Sequence, residues 1–201
     1  MQAFAARRVE YDGVDHRELG LEKYARLVVE LIRDAIRPDV SAGEPPLLPI
    51  LNRYRPVSST SLVEFTTTRP VTATTRSHVN LVVQHSSWEG ATAKKLDEAE
   101  GLVKFYAKND HLGLAIPYEH EGVERDYQPD FLVRLVSDLN LILEVKGFEH
   151  HDHDGLVGAK DNAARKWVHA VNNLGDFGRW EFLICRDVEI LVQELKRLVG
   201  V

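Results

Sequence analysis

Apolar and polar positions change period several times along this chain. From 19 to 36 the apolar side chains recur at helical spacing, which predicts an amphipathic helix that Arg37-Pro38 ends. Pro45, Pro46, Pro49 and Pro56 then predict an irregular connection. Two runs, 61–68 and 77–84, are rich in β-branched and apolar residues and read as strands around a Thr-rich loop. Ser86 or Ser87 is placed to cap a helix that begins near Trp88 and runs to about Lys108, where Asn109-Asp110 closes it. A short strand over 112–118 follows. Two more apolar runs, Phe131-Leu-Val-Arg-Leu-Val and Leu141-Ile-Leu-Glu-Val, flank the polar stretch Ser137-Asp138-Leu139-Asn140, which predicts a β-hairpin. The chain closes with a helix at about 160–172, a buried strand at 180–186 and a helix at 188–198. This order predicts an α/β domain over 57–201 with a mixed central sheet flanked by helices, preceded by a helical extension and connector over 1–56.

The hairpin carries the candidate chemistry. Side chains alternate faces along a strand, so Glu144 and Lys146 share one face while Leu143 and Val145 take the other. A register that pairs Asp130 with Lys146, and Leu132 with Glu144, would bring both carboxylates and the amine to one end of that face. A slip of one residue would turn Asp130 away. Mg²⁺ prefers hard oxygen ligands and is usually held by one or two carboxylates together with water and phosphate oxygens. Asp130 and Glu144, with the backbone at Val145, would hold such an ion. A metal placed there would polarise a phosphodiester, activate water and stabilise the leaving oxygen. Lys146 would orient the attacking water and neutralise developing charge. The competing reading is a surface hairpin on which Glu144 and Lys146 merely form an ion pair.

Composition narrows the setting. The 201 residues suffice for one substantial core. The single cysteine, Cys185, excludes an intramolecular disulfide framework and sits in an apolar run where packing is its expected role. The sequence shows no membrane-length apolar stretch and no signal-peptide core at its N-terminus, so a soluble, cytoplasmic protein is expected. A net charge of -6 opposes autonomous binding to DNA, because non-specific affinity comes from Lys and Arg neutralising phosphates.

Other residues admit both functional and simpler roles. Of Glu89, Glu98 and Glu100 on the helix before the hairpin, Glu89 is the choice to reach the metal or its water. Its first-turn position equally suits an acid that complements the helix dipole. Trp88 is expected to pack. The run Glu149-His-His-Asp-His-Asp154 lacks the spacing of a structural zinc site. Lys160, Arg165 and Lys166 suit either phosphate contact or a solvated helix face. The chain contains no phosphate-binding G-x-x-x-x-G-K-[ST] loop and no G-x-S-x-G motif.

A series of short motifs then acquires meaning together: Asn52-Arg-Tyr-Arg-Pro with Ser59-Thr60, Ser77-His-Val-Asn80, Ser87-Trp-Glu89, Lys108-Asn109, Ile116-Pro-Tyr118, Tyr127-Gln-Pro-Asp-Phe131, Glu144-Val-Lys-Gly147, Trp167 with Ala170-Val-Asn172, and Phe177-Gly-Arg-Trp180. In this order they resemble the C-terminal endonuclease region of the restriction (Res) subunit of type III restriction enzymes, within the PD-(D/E)XK nuclease superfamily. The resemblance implies a restriction-endonuclease-like core and Mg²⁺-dependent cleavage of double-stranded DNA, with Mn²⁺ as a possible substitute. Asp130, Glu144 and Lys146 match the catalytic motif, and Glu89 matches the helix acid. It also implies a superfamily 2 helicase-type ATPase and a modification (Mod) methyltransferase subunit as partners, with a homo-oligomer possible and no membrane association. Two departures stand out. The motor is missing, which predicts an excised domain, a split product or a stand-alone relative, and His85 stands where an acid is expected. The rival expectations are a catalytically idle docking module of the same fold and a stand-alone repair nuclease.

Overall fold

The computed structural model describes residues 16–22, 24–25, 28–29, 32, 38–52, 54, 59–146 and 156–201. The chain divides into two compact units, 1–46 and 47–201. In the first, a 3-10 helix spans His16–Gly20, and Glu22, Tyr24, Ala25, Val28, Val29 and Ile32 are helical, within the stretch where the apolar spacing predicts a helix. The second unit begins at Leu47, whose carbonyl accepts a hydrogen bond from Asn173 at 2.9 Å.

The second unit is mixed α/β. Its elements are β1 (Val71–Ala73), β2 (Leu81–Val83), α1 (Ser87–Glu98), β3 (Val103–Lys108), β4 (Ile116–His120), β5 (Val123–Tyr127), β6 (Phe131–Leu135), β7 (Asn140–Val145), α2 (Leu156–Leu174), β8 (Trp180–Cys185) and α3 (Leu191–Val199). The central sheet has the order β3-β6-β7-β8; the first two pairings are antiparallel and β7 with β8 is parallel. The parallel pair needs a crossover, which α2 supplies. Two hairpins, β1-β2 and β4-β5, form separate small sheets.

Strand periodicity sorts the core into two layers. Phe131, Val133, Leu135, Leu141 and Leu143 pack with Ala93 and Leu96 of α1 and with Leu191 and Leu195 of α3. On the opposite face Leu132 and Ile142 meet Ala164 and Val168 of α2 together with Ile116 and Tyr127. Each fully buried large aliphatic side chain contributes about 1.5–3 kcal/mol, so both layers hold the central hairpin. Among the described residues no helix is long and apolar enough to cross a membrane.

Several local expectations are corrected. The helix at Ser87 stops at Glu98, ten residues before Lys108, because Gly101 takes φ 77° and the chain turns into the strand-forming run Val103–Lys108. Residues 61–68 are not a strand: Thr60–Leu62 forms a 3-10 turn whose Ser59 side chain captures the Ser61 N–H. The strand ladder starts later, where Val71 pairs with Val83. The segment after Glu119 contains β5, whose Val-Glu-Arg-Asp residues are exposed and lack an apolar signature. Its two-residue turn uses Glu121 (φ 53°) and Gly122 (φ 75°), the positive pair demanded by a type I′ hairpin.

Candidate functional site

The register of the β6-β7 hairpin decides which groups meet. Phe131 lies opposite Leu143 and Leu132 opposite Ile142, so one further step sets Asp130 opposite Glu144 rather than Lys146. The difference is two residues, which preserves the face. Its cause is the turn. Leu135 N–H donates to the Leu139 carbonyl and Asp138 N–H to the Leu135 carbonyl, leaving a three-residue loop in which Asp138 adopts φ 64°. The expected pairing would have centred the loop one residue later.

Asp130 stands just before β6, and its Oδ2 accepts the Val145 N–H at 2.7 Å. This bond ties the start of one strand to the end of the next. The N–H and C=O of a strand residue leave on the same side, so the Val145 carbonyl is directed to that edge as well. Burial pushes the Asp130 carboxyl above its usual range; the Val145 hydrogen bond opposes the shift, and the nearby Glu89 carboxylate adds to it. Glu144 is pushed up to about 7, first by burial and then by the Asp130 charge, against the stabilising hydroxyl of Tyr127 and the Lys146 ammonium. Tyr127, buried at the end of β5, donates its hydroxyl hydrogen to Glu144 Oε2 at 2.5 Å. The β4-β5 hairpin therefore orients Glu144.

Lys146 continues the β7-β8 ladder through its N–H to the Cys185 carbonyl at 2.9 Å. Its buried ammonium forms an ion pair with Asp161 of α2. Lys146 thus stands between Asp161 and Glu144, and the Asp130 and Asp161 charges both disfavour ionisation of Glu144. Asp161 lies fifteen residues beyond Lys146 on a different element, with no sequence signal to join the two. Tyr127 stands next to the Gln-Pro-Asp run and was legible as part of that motif, without its role.

Glu89 has dense structural employment. Ser86 caps α1 by accepting the Glu89 N–H, while Glu89 Oε2 accepts the His85 N–H at 2.9 Å and pairs with Lys108 at 2.7 Å. Lys108 also donates to the Val83 carbonyl at 2.8 Å. This is a variant of the capping box, reaching one residue further back than usual. Glu89 nevertheless lies close enough for its charge to act on Asp130. Glu98 and Glu100 are turned elsewhere, toward Lys94 and Arg76. Trp88 packs against the α1 layer and Cys185 is buried there, its thiol pushed up to about 11 chiefly by burial. Arg165 lies over the Phe182 ring at 5.4 Å; Lys166 is exposed and Lys160 half-buried. The 149–154 run lies outside the described residues.

Beside Asp130 opens a cleft of about 400 Å³ lined by His85, Lys108, Asn109, Asp110, His111, Gly113, Gln128 and Pro129. Asp130 lines it as well, whereas Glu144 and Lys146 do not. Among the described residues no three His, Cys, Asp or Glu side chains converge as a ready-made metal cage. The donor chemistry still suits a hard cation: opposed, desolvated carboxylates raise each other's proton affinity, and a divalent ion would relieve that excess negative charge. No family model, curated protein or solved structure matched the chain.

Proposed function

We propose that this chain is a Mg²⁺-dependent DNA endonuclease domain with a PD-(D/E)XK-type core, similar to the nuclease region of type III restriction subunits. The observation that carries the reading is the hairpin register, which sets Asp130 opposite Glu144 with Lys146 two residues further on. The succession α1, β3, β6, β7, α2, β8 around a mixed sheet is compatible with such a core.

Asp130, Glu144 and the Val145 carbonyl would hold the metal, with Mn²⁺ as a substitute. Bound there, Mg²⁺ supplies polarisation of the phosphoryl oxygen and a lowered pKa for water. The chain's own residues do the positioning. Tyr127 holds Glu144 by its hydroxyl, and the Val145 N–H holds Asp130. Lys146 presents a positive charge beside the carboxylates, suited to orient water and to offset charge that develops on the phosphate. Glu89 acts through Lys108 and the α1 N-terminus, shaping the cleft wall rather than ligating. DNA is the substrate; a superfamily 2 ATPase and a Mod methyltransferase subunit would supply the targeting that a net charge of -6 does not.

A catalytically idle docking module is the second reading. It is favoured by the engagement of Lys146 with Asp161 and of Glu89 with Lys108. Calorimetric titration of Mn²⁺ separates the two. The nuclease reading expects binding in the wild type that disappears in Asp130→Ala/Glu144→Ala; superimposable titrations would leave only the idle module.

A further inference from the structure

The cleft beside Asp130 has a wall that the metal-site reading does not use. Asp110, whose side chain is 15% exposed, stands between two imidazoles. Its Oδ1 lies 2.7 Å from His111 Nδ1 and its Oδ2 lies 3.5 Å from His85 Nε2. His111 is fixed a second time: its ring stacks on Phe65 with centroids 3.9 Å apart. The Asp110 carboxylate faces one nitrogen of each ring, which leaves Nδ1 of His85 and Nε2 of His111 for a ligand. Both rings are about half exposed and line the cleft.

Charge specifies the ligand. Among the described residues the one lysine in the cleft wall, Lys108, has its ammonium committed to Glu89 and to the Val83 carbonyl. An imidazole that carries a proton on both nitrogens can donate one N–H to a carboxylate and the other to a phosphate oxygen. Two such rings on one carboxylate, next to Asp130, suit an anion that must lie close to the metal-binding carboxylates without meeting their charge unscreened.

We propose that His85 and His111, oriented by Asp110, form a phosphate-binding subsite for the DNA strand, holding a phosphodiester adjacent to the one cleaved. The inference rests on the nuclease reading and adds a specific DNA contact to it. Asp110 is a positioning residue, and the two histidines are the contacts.

The test is binding rather than cleavage. A short fluorescein-labelled DNA duplex is titrated with the full chain in Ca²⁺ and followed by anisotropy at several salt concentrations. Loss of two charge-assisted contacts predicts a weakening of about tenfold or more in His85→Ala/His111→Ala, with a shallower salt dependence. Lys94→Ala, at an exposed lysine on α1, serves as the control and should leave the affinity unchanged. Imidazole NMR signals of both histidines should shift on adding the duplex. Asp110→Asn should weaken binding and be less harmful than the double histidine variant.

Equal affinity in the double variant, or imidazole signals that do not move with duplex, overturns the proposal. So does a wild type that binds no duplex, and so does a response to inorganic phosphate without one to duplex, which would mark a free-anion site. Failure of the nuclease reading gives a different pattern: plasmid stays uncut in Mg²⁺ and Mn²⁺ while the histidine-dependent binding persists.

Discussion

Glu144 ties the stability of the fold to pH. Its pKa is raised to about 7 from 4.5, so the folded state holds this proton more tightly than the unfolded chain. The resulting stability is complete below pH 4.5 and is lost as pH rises through 7. Glu144→Gln, which keeps an acceptor for Tyr127, is therefore expected to melt higher than wild type at pH 8, with the gain vanishing by about pH 4. Melting curves across that range check the sign, and a larger gain at pH 4 would show it to be inverted. Lys146 is a second case. Removing it leaves Asp161 partly buried without its partner, so Lys146→Ala should cost about 3 kcal/mol. Lys146→Ala/Asp161→Asn should recover much of that loss. A denaturant double-mutant cycle measures the coupling, and additive losses would mean that the ion pair contributes nothing.

At the scale of elements, turns and caps set the register that brings these groups together. Ser86→Ala removes the α1 cap and should cost about 1 kcal/mol in denaturant unfolding; no loss would show that Glu89 and Lys108 hold the helix start alone. Gly122→Val places a β-branched side chain at φ 75° and should loosen the β4-β5 hairpin, seen as faster amide exchange at Tyr127. The β6-β7 hairpin, α2, β8 and α3 were legible because their apolar runs are long and periodic. β3 was hidden inside an Ala-, Leu- and Lys-rich stretch that also reads as helix, and β5 is built from exposed charged residues. The face shared by Asp130, Glu144 and Lys146 followed from the two-residue period of the strands. Their register did not, because a one-residue difference in loop position keeps that period. Asp161 and the His85-Asp110-His111 group depend on contacts between elements that no local spacing reveals.

At the scale of the molecule, the two core layers as formed by the described residues lie within 47–201. A chain beginning at residue 47 should therefore fold cooperatively, with a melting temperature within a few degrees of that of the full chain; a noncooperative transition would show that 1–46 is needed. If the chain acts on DNA as proposed, a net charge of -6 would place the burden of capture on a bound cation, the cleft histidines and separate targeting subunits. Under the proposed function, the Asp130-Glu144-Lys146 constellation cuts DNA. Its most direct test incubates supercoiled plasmid with the purified chain in Mg²⁺ or Mn²⁺, beside Asp130→Ala and Lys146→Met variants shown by circular dichroism to be folded. The wild type is expected to nick and linearise the plasmid and both variants to lose this activity, whereas cleavage that persists equally in the variants, or none by the wild type even when the proposed motor and Mod subunits are added, would overturn the nuclease proposal.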